Sequence, residues 1–267
     1  MPRRLPDLKH NVATLPPIES KYISRVPFTL GLIGQTASGK THLGLSIVKL
    51  LLREGTITRL FVCCPTLESN VIYNAVIDRG RDILFTDPDK VFEALREVQA
   101  DCERAAEAYA EDLRYVAAHR RYTAGEPISG AEEHMLESRG WRSIEAKRPS
   151  PLLILDDLSH TRLYSTSRSN PLTNLVLRSR HLGDGLGISI MLLCQTYTSG
   201  VPRALRQNTS HWAFFHTESE RELKAIGEEL GGVVAYPEFC RRFRWYTAEK
   251  HGYMWVDVIR REIMSSF

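Results

Sequence analysis

Residues Gly34, Gln35, Thr36, Ala37, Ser38, Gly39, Lys40 and Thr41 spell the pattern G-x-x-x-x-G-K-[ST] directly after an apolar run and before a helical pattern. Glycines in such a loop let backbone N–H groups converge on phosphate oxygens, and the helix that follows aims its positive end at the same spot. Lys40 is expected to neutralise the β and γ phosphates, and the Thr41 hydroxyl to reach a Mg²⁺ ion. The loop is therefore expected to hold a nucleoside triphosphate, ATP, with Mg²⁺.

A second chemical signal lies downstream. Four apolar residues, Leu152 to Leu155, lead into Asp156 and Asp157, and a buried central strand of this kind delivers carboxylates to the sheet edge where ligands bind. Asp156 is expected to hold Mg²⁺ through water, and Asp157 is the candidate base or water-orienting group. The run ISIMLLC ends in Gln195 and Thr196. If that run lies beside the phosphate-loop strand, Gln195 projects toward the γ-phosphate and senses it or orients the attacking water. Lysine, metal and acid together equip the site for hydrolysis.

These residues need elements to carry them. From Phe28 the chain alternates short apolar runs with helical segments: FTLGLIG, a helix from Thr41 to about Arg53, RLFVCC at Arg59 to Cys64, and DILFT at Asp82 to Thr86. The segment after Pro88 has no Gly or Pro until Gly125 and predicts a long charged helix, with Glu, Asp and Arg at helical spacing on a solvated face. PLLILDD, a helix after Asn170, GISIMLLCQT and HWAFFHT then repeat the alternation. Strand-then-helix units with continuously apolar strands predict an α/β fold, a mostly parallel sheet covered by helices on both faces. Residues 1–27 carry five prolines without apolar periodicity and are expected to form an extended arm; residues 28–267 form the remaining domain, with a mainly helical charged insertion at about 88–148.

Composition limits the alternatives. The chain has 267 residues, 43% of them hydrophobic, enough for one large α/β domain. No run approaches the length of a membrane span, and the first residues lack the apolar stretch of a secretory signal, so no membrane span and no secretion are expected. Five scattered cysteines give no metal clamp and read as reduced thiols. A net charge of +3 permits nucleic-acid binding without arguing for it.

The series GQTASGKT, LLILDD, LRSRHLG, ISIMLLCQT and VPRALRQNTSHWAFF resembles the genome-packaging ATPases of double-jelly-roll-capsid viruses, the poxvirus, virophage and Polinton-type branch of the HerA–FtsK superfamily. The resemblance runs from about Phe28 to Thr217. It implies a P-loop NTPase fold of the additional-strand, catalytic-acid type, assembly into a homo-oligomeric ring, and ATP-driven movement of double-stranded DNA into a preformed capsid. It also implies work in the host cytoplasm or nucleus, or on the virion, with a capsid or vertex protein as a further partner. The family commonly has Glu where this chain has Asp157, and no family role extends to the charged segment from about Ala94 to Arg148.

A ring motor takes positive charge for the γ-phosphate from the neighbouring subunit. Arg180, in RSRHLG, and Arg206, in PRALRQN, are the candidates by similarity, both expected on the site-bearing side. Arg120 and Arg121, Arg203 and Arg206, and RRFRWY with Lys250 are basic clusters that could track DNA phosphates or cover an apolar face. His181, His211 and His216 lack accompanying ligands and read as structural. Three rivals remain: a cellular or plasmid DNA pump of the same superfamily, a P-loop kinase acting on a small molecule, and a non-catalytic assembly factor.

Overall fold

The computed structural model describes residues 18–158, 161–165 and 170–265. Residues 1–17 of the expected arm lie outside them; residues 18–27 run without regular secondary structure up to the first strand. In chain order the elements are β1 (Thr29–Ile33), α1 (Lys40–Glu54), β2 (Arg59–Cys63), β3 (Ile83–Phe85), α2 (Val91–Thr123), α3 (Gly130–Ser138) and β4 (Pro151–Asp156). There follow α4 (Pro171–Arg178), a single turn α5 (Leu182–Gly185), β5 (Ser189–Cys194), a single turn α6 (Arg203–Arg206), β6 (His211–Phe215), α7 (Glu220–Glu229), α8 (Tyr236–Tyr246), β7 (Tyr253–Asp257) and β8 (Glu262–Met264).

The strands form one eight-stranded sheet in the order β3-β2-β4-β5-β1-β6-β7-β8. The neighbours from β3 to β6 pair in parallel, whereas β7 and β8 add on as an antiparallel edge. Strand β5 lies between β1 and β4, with Ile33 opposite Cys194 and Asp156 opposite Leu193. This additional strand brings the ends of three sequence-distant runs to one edge.

Both sheet faces are buried, so the central strands are buried at every position and apolar except at the ends that carry Thr29, Asp156 and Ser189. On one face Leu30, Leu32, Leu152, Ile154, Met191 and Leu193 pack with Leu45, Ile47, Val48 and Leu51 of α1. On the other, Leu153, Leu155, Ile190 and Leu192 meet residues of α2, α4, α7 and α8. The long helix α2 is not solvated throughout. Its first half buries Val91, Leu95, Val98 and Cys102 in that core, as a crossover helix between β3 and β4 must. Its second half projects with α3 and builds a satellite cluster around Tyr115, Ala118 and Leu136. All five cysteines are free thiols, four of them buried. Among the described residues no helix is long and apolar enough to cross a membrane.

Candidate functional site

The carboxyl ends of β1, β4 and β5 form the site's edge. Gly34 N–H donates to the Cys194 carbonyl at 3.1 Å, tying the start of the phosphate loop to the end of β5. Gly39 ends the loop at φ +101, a left-handed conformation that glycine adopts without strain. A Cβ on Gly34 would lie 2.5 Å from Ser38 Oγ and 2.9 Å from Phe215, so the turn needs a bare backbone there. Helix α1 starts at Lys40 with no side-chain cap and no acidic residue in its first turn. By contrast α3, α4 and α7 are capped by Ser129, Asn170 and Ser219. The first N–H groups of α1 are therefore left to face an anion.

Asp156 is buried, at 4% exposure, and is held from two sides. The Tyr73 hydroxyl donates to its Oδ2 at 2.8 Å, and Thr41 Oγ1 donates to the same oxygen at 3.4 Å. Burial pushes the Asp156 carboxyl above the usual carboxylate range, and neighbouring Asp157 adds to that rise; the Tyr73 bond, the Lys40 charge and the Thr41 bond pull the other way. Lys40 is itself buried, at 8% exposure. The structure thus brings Lys40, Thr41 and Asp156 into one cluster. Asp157 turns outward in a left-handed conformation, φ +57, and is exposed. Gln195 follows directly on the end of β5 and lines a 340 Å³ cavity with Gly34, Gln35 and Thr198.

Three contacts at this edge have no motif in the sequence. Tyr73 belongs to a short turn between β2 and β3, far from every recognisable signature; only its buried hydroxyl against Asp156 reveals it. His251 Nδ1 donates to the Ser38 carbonyl at 3.0 Å, so the segment before β7 steadies the phosphate loop. Glu222 of α7 accepts the N–H groups of Tyr197, at 2.6 Å, and Thr198, at 3.2 Å, and fixes the loop after Gln195. Beyond Gly39 a second cavity, of 460 Å³, is lined by His42, Leu43, Ser46, Phe215, His251 and Tyr253.

The two arginines expected on this edge lie elsewhere or are engaged. The Arg206 guanidinium pairs with Glu229 through Nη2 at 2.8 Å and Nε at 3.0 Å. It donates to the carbonyls of Val201 and Thr198 and stands over the Tyr197 ring at 4.9 Å. Arg206 thereby braces the loop after Gln195 against α7. Arg180 is exposed and unlike Arg206 lines a cavity at the opposite, amino edge of the sheet, beside Thr29 and Ser210. The expectation that it sits on the site-bearing side is corrected, because the turn that carries it leads into the amino end of β5.

The basic clusters divide in the same way. Arg241 and Arg242 both pair with Glu238, Arg244 approaches Glu220, and Phe239 and Phe243 are buried under α8, while Trp245 is 78% exposed. Arg121 pairs with Glu132 across the α2–α3 hairpin. His211 is fully buried among Ser24, Ser210 and Asp257, a structural histidine.

Residues 131–228 match the family model of the Poxvirus A32 protein. That stretch contains Asp156, Asp157, Arg180, Gln195 and Arg206, and it begins after the phosphate loop. Among solved structures, the DNA-packaging ATPase B204 of Sulfolobus turreted icosahedral virus matches with TM-score 0.53 at 14% identity, over 90% of this chain and 97% of that one. The genome packaging NTPase B204 of Sulfolobus turreted icosahedral virus 2 in complex with AMPPCP matches with TM-score 0.51 at 12% identity, over 90% and 97%. Its complex with ATP-gammaS matches with TM-score 0.51 at 13% identity, over 90% and 98%. At these identities the likeness is one of fold, and the fold is that of a P-loop NTPase. No curated protein matches the sequence.

Proposed function

We propose that the protein is an ATP-hydrolysing ring motor that moves double-stranded DNA, and that it packages a viral genome into a preformed capsid. The observation that carries this reading is the convergence of Thr41 and Tyr73 on buried Asp156, beside Lys40 and the uncapped start of α1. The match to the Poxvirus A32 family over the segment bearing Asp156 and Gln195 supports the viral branch over a cellular pump.

The residues present fit a metal–nucleotide pair. Ser38 Oγ is buried in the loop without a hydrogen-bond partner, a cradle awaiting an acceptor, and Thr41 and Asp156 offer the hydroxyl and carboxylate oxygens that Mg²⁺ prefers. Held by Thr41 and Asp156, Mg²⁺ would supply positive charge that offsets the charge building on the phosphates.

The chain's own groups then act in order. The loop N–H groups and the first turn of α1 bind the phosphates, with Lys40 against the β and γ groups. The base reaches the apolar cavity lined by Leu43, Phe215 and Tyr253, whose rings stand 5.7 Å apart. Gln195 orients water for in-line attack on the γ-phosphate, and exposed Asp157 accepts the proton. Tyr73 keeps the Asp156 carboxylate aimed and ionised.

ATP turnover measured against protein concentration, with and without duplex DNA, tests this reading. Turnover that rises with both supports a ring motor. Turnover that is flat in both, or that needs a small-molecule acceptor, removes it.

A further inference from the structure

The segment between α8 and β7 meets the phosphate loop through one side chain. His251 Nδ1 lies 3.0 Å from the Ser38 carbonyl oxygen. A carbonyl oxygen only accepts, so Nδ1 carries the proton of that bond. The neutral ring then has no proton on Nε2, which is left as an acceptor. The imidazole also stands against the bare face of Gly39: a Cβ there would lie 3.3 Å from Nδ1 and 3.6 Å from Cγ. So near an approach suits the glycine that closes the phosphate loop.

The backbone holds this ring in position. His251 has φ +66, a left-handed conformation that costs free energy outside glycine and concentrates at binding sites. Gly252 behind it admits no side chain, since a Cβ would lie 2.6 Å from the Tyr246 carbonyl oxygen, and its N–H donates to the Glu249 carbonyl at 2.9 Å. Buried Thr247 ties the segment to α8 through its hydroxyl, which donates to the Phe243 carbonyl at 2.8 Å. The same imidazole lines the 460 Å³ cavity beyond Gly39, whose apolar walls are Leu43, Phe215 and Tyr253. Ser46 Oγ in that lining donates to the His42 carbonyl at 2.8 Å and so offers the cavity only its lone pairs. Exposed His42 can serve either way and sets no preference. His251 and Ser46 therefore both call for a donor on whatever fills the cavity.

We infer that His251 is a specificity-determining residue that joins base recognition to the phosphate loop: its Nδ1–H holds the Ser38 carbonyl while its Nε2 accepts the exocyclic amine of adenine. The inference rests on the ATPase reading and deepens it, by selecting among nucleobases. Adenine carries an amine at C6. Hypoxanthine and guanine carry a carbonyl oxygen there, which would set lone pair against lone pair. A site built to bond a substrate N–H rejects an analogue without it, because its own polar atom is then left unpaired. Since one ring makes both contacts, the base cavity and the phosphate loop are positioned together.

Equilibrium binding of three ligands to the full chain tests this, each displacing a fluorescent ATP analogue in the presence of Mg²⁺: ATP, ITP, in which a carbonyl replaces the C6 amine, and inorganic tripolyphosphate, which has no base. The wild type is expected to bind ATP about tenfold more tightly than ITP, the worth of one hydrogen bond. His251→Asn keeps an N–H where Nδ1 stood and tolerates the left-handed backbone, but has nothing at the place of Nε2. Its preference for ATP over ITP is expected to fall to about twofold or less, with tripolyphosphate bound as by the wild type. His251→Ala loses both contacts and is expected to weaken all three ligands, tripolyphosphate by about fivefold. A merely structural residue would move the three ligands together in both variants. A wild type that binds ATP and ITP alike, or a His251→Asn variant that keeps the wild-type preference, overturns the inference. Tripolyphosphate bound equally by wild type and His251→Ala overturns the link to the phosphate loop. Should His251→Ala not fold, the ATP and ITP affinities of His251→Asn decide alone. A wild type that binds none of the three removes the ATPase reading first.

Discussion

The two edges of one sheet are built on opposite electrostatic plans. At the carboxyl edge, Lys40 is buried beside Asp156, and Tyr73 and Thr41 bind that carboxylate, so charge is balanced within the subunit. At the amino edge, Arg25 and Arg180 share a cavity with no carboxylate. Burial explains why the first arrangement is self-sufficient: a desolvated charge must be paired or hydrogen-bonded. Exposed guanidiniums escape that demand because water solvates them. Arg206 marks the boundary between the plans, since its burial against Tyr197 and Glu229 turns a potential donor into a brace.

The largest effect expected from breaking this contrast is at the carboxyl edge. Lys40→Ala should lower ATP turnover by about 10³ or more, because phosphate charge is then met by backbone and metal alone. A variant that turns over normally would remove the phosphate-loop assignment.

Arginine variants should separate next by stability. Arg206→Ala should cost about 3 kcal/mol, because Glu229 and three carbonyls lose a shared donor. Arg25→Ala should fall within about 0.5 kcal/mol of wild type in the same urea-denaturation assay. The reverse ranking would mean that Arg25, and not Arg206, is the structural arginine.

Tyr73→Phe keeps the ring and deletes one hydroxyl. It should weaken turnover by about tenfold, the worth of one hydrogen bond to a charged group. A change in the metal–ATP requirement without loss of stability would confirm that Tyr73 acts through Asp156.

The smallest effect is a displaced pH profile. Because the folded Asp156 carboxyl titrates above its unfolded value, the folded state takes up a proton first as pH falls. Stability of the nucleotide-free protein should then rise as pH falls through that window and fall as pH increases through it. Tyr73→Phe should move the window to higher pH, since a donor favouring the ionised form is gone. A stability profile unmoved in Tyr73→Phe would count against the buried setting of Asp156.

Much of this machinery was legible before any coordinates. The spacing of Gly34, Gly39, Lys40 and Thr41 and the apolar run ending in Asp156 identify local conformation and chemistry together, because a phosphate loop needs its residues consecutive. The runs from Phe28 to Thr217 likewise predict β1, β2, β4, β5 and β6, since strands buried on both faces are apolar along their middles. The antiparallel edge of β7 and β8 carries a weaker pattern and went unread. Composition also misjudged the first half of α2, whose charges line one side while Val91, Leu95 and Val98 form the other.

Sequence by itself therefore determined the phosphate-loop pattern, the buried strand ending in Asp156 and the alternating α/β plan, because each depends on residues adjacent or regularly spaced along the chain. Only the tertiary structure decided that β5 lies between β1 and β4, that Tyr73 grips Asp156, that Arg206 is locked inward, and that Arg25 joins Arg180. Those facts follow from how the fold brings distant segments together, and no local spacing encodes contacts made across 23 residues, as for Arg206 and Glu229, or 83, as for Tyr73 and Asp156.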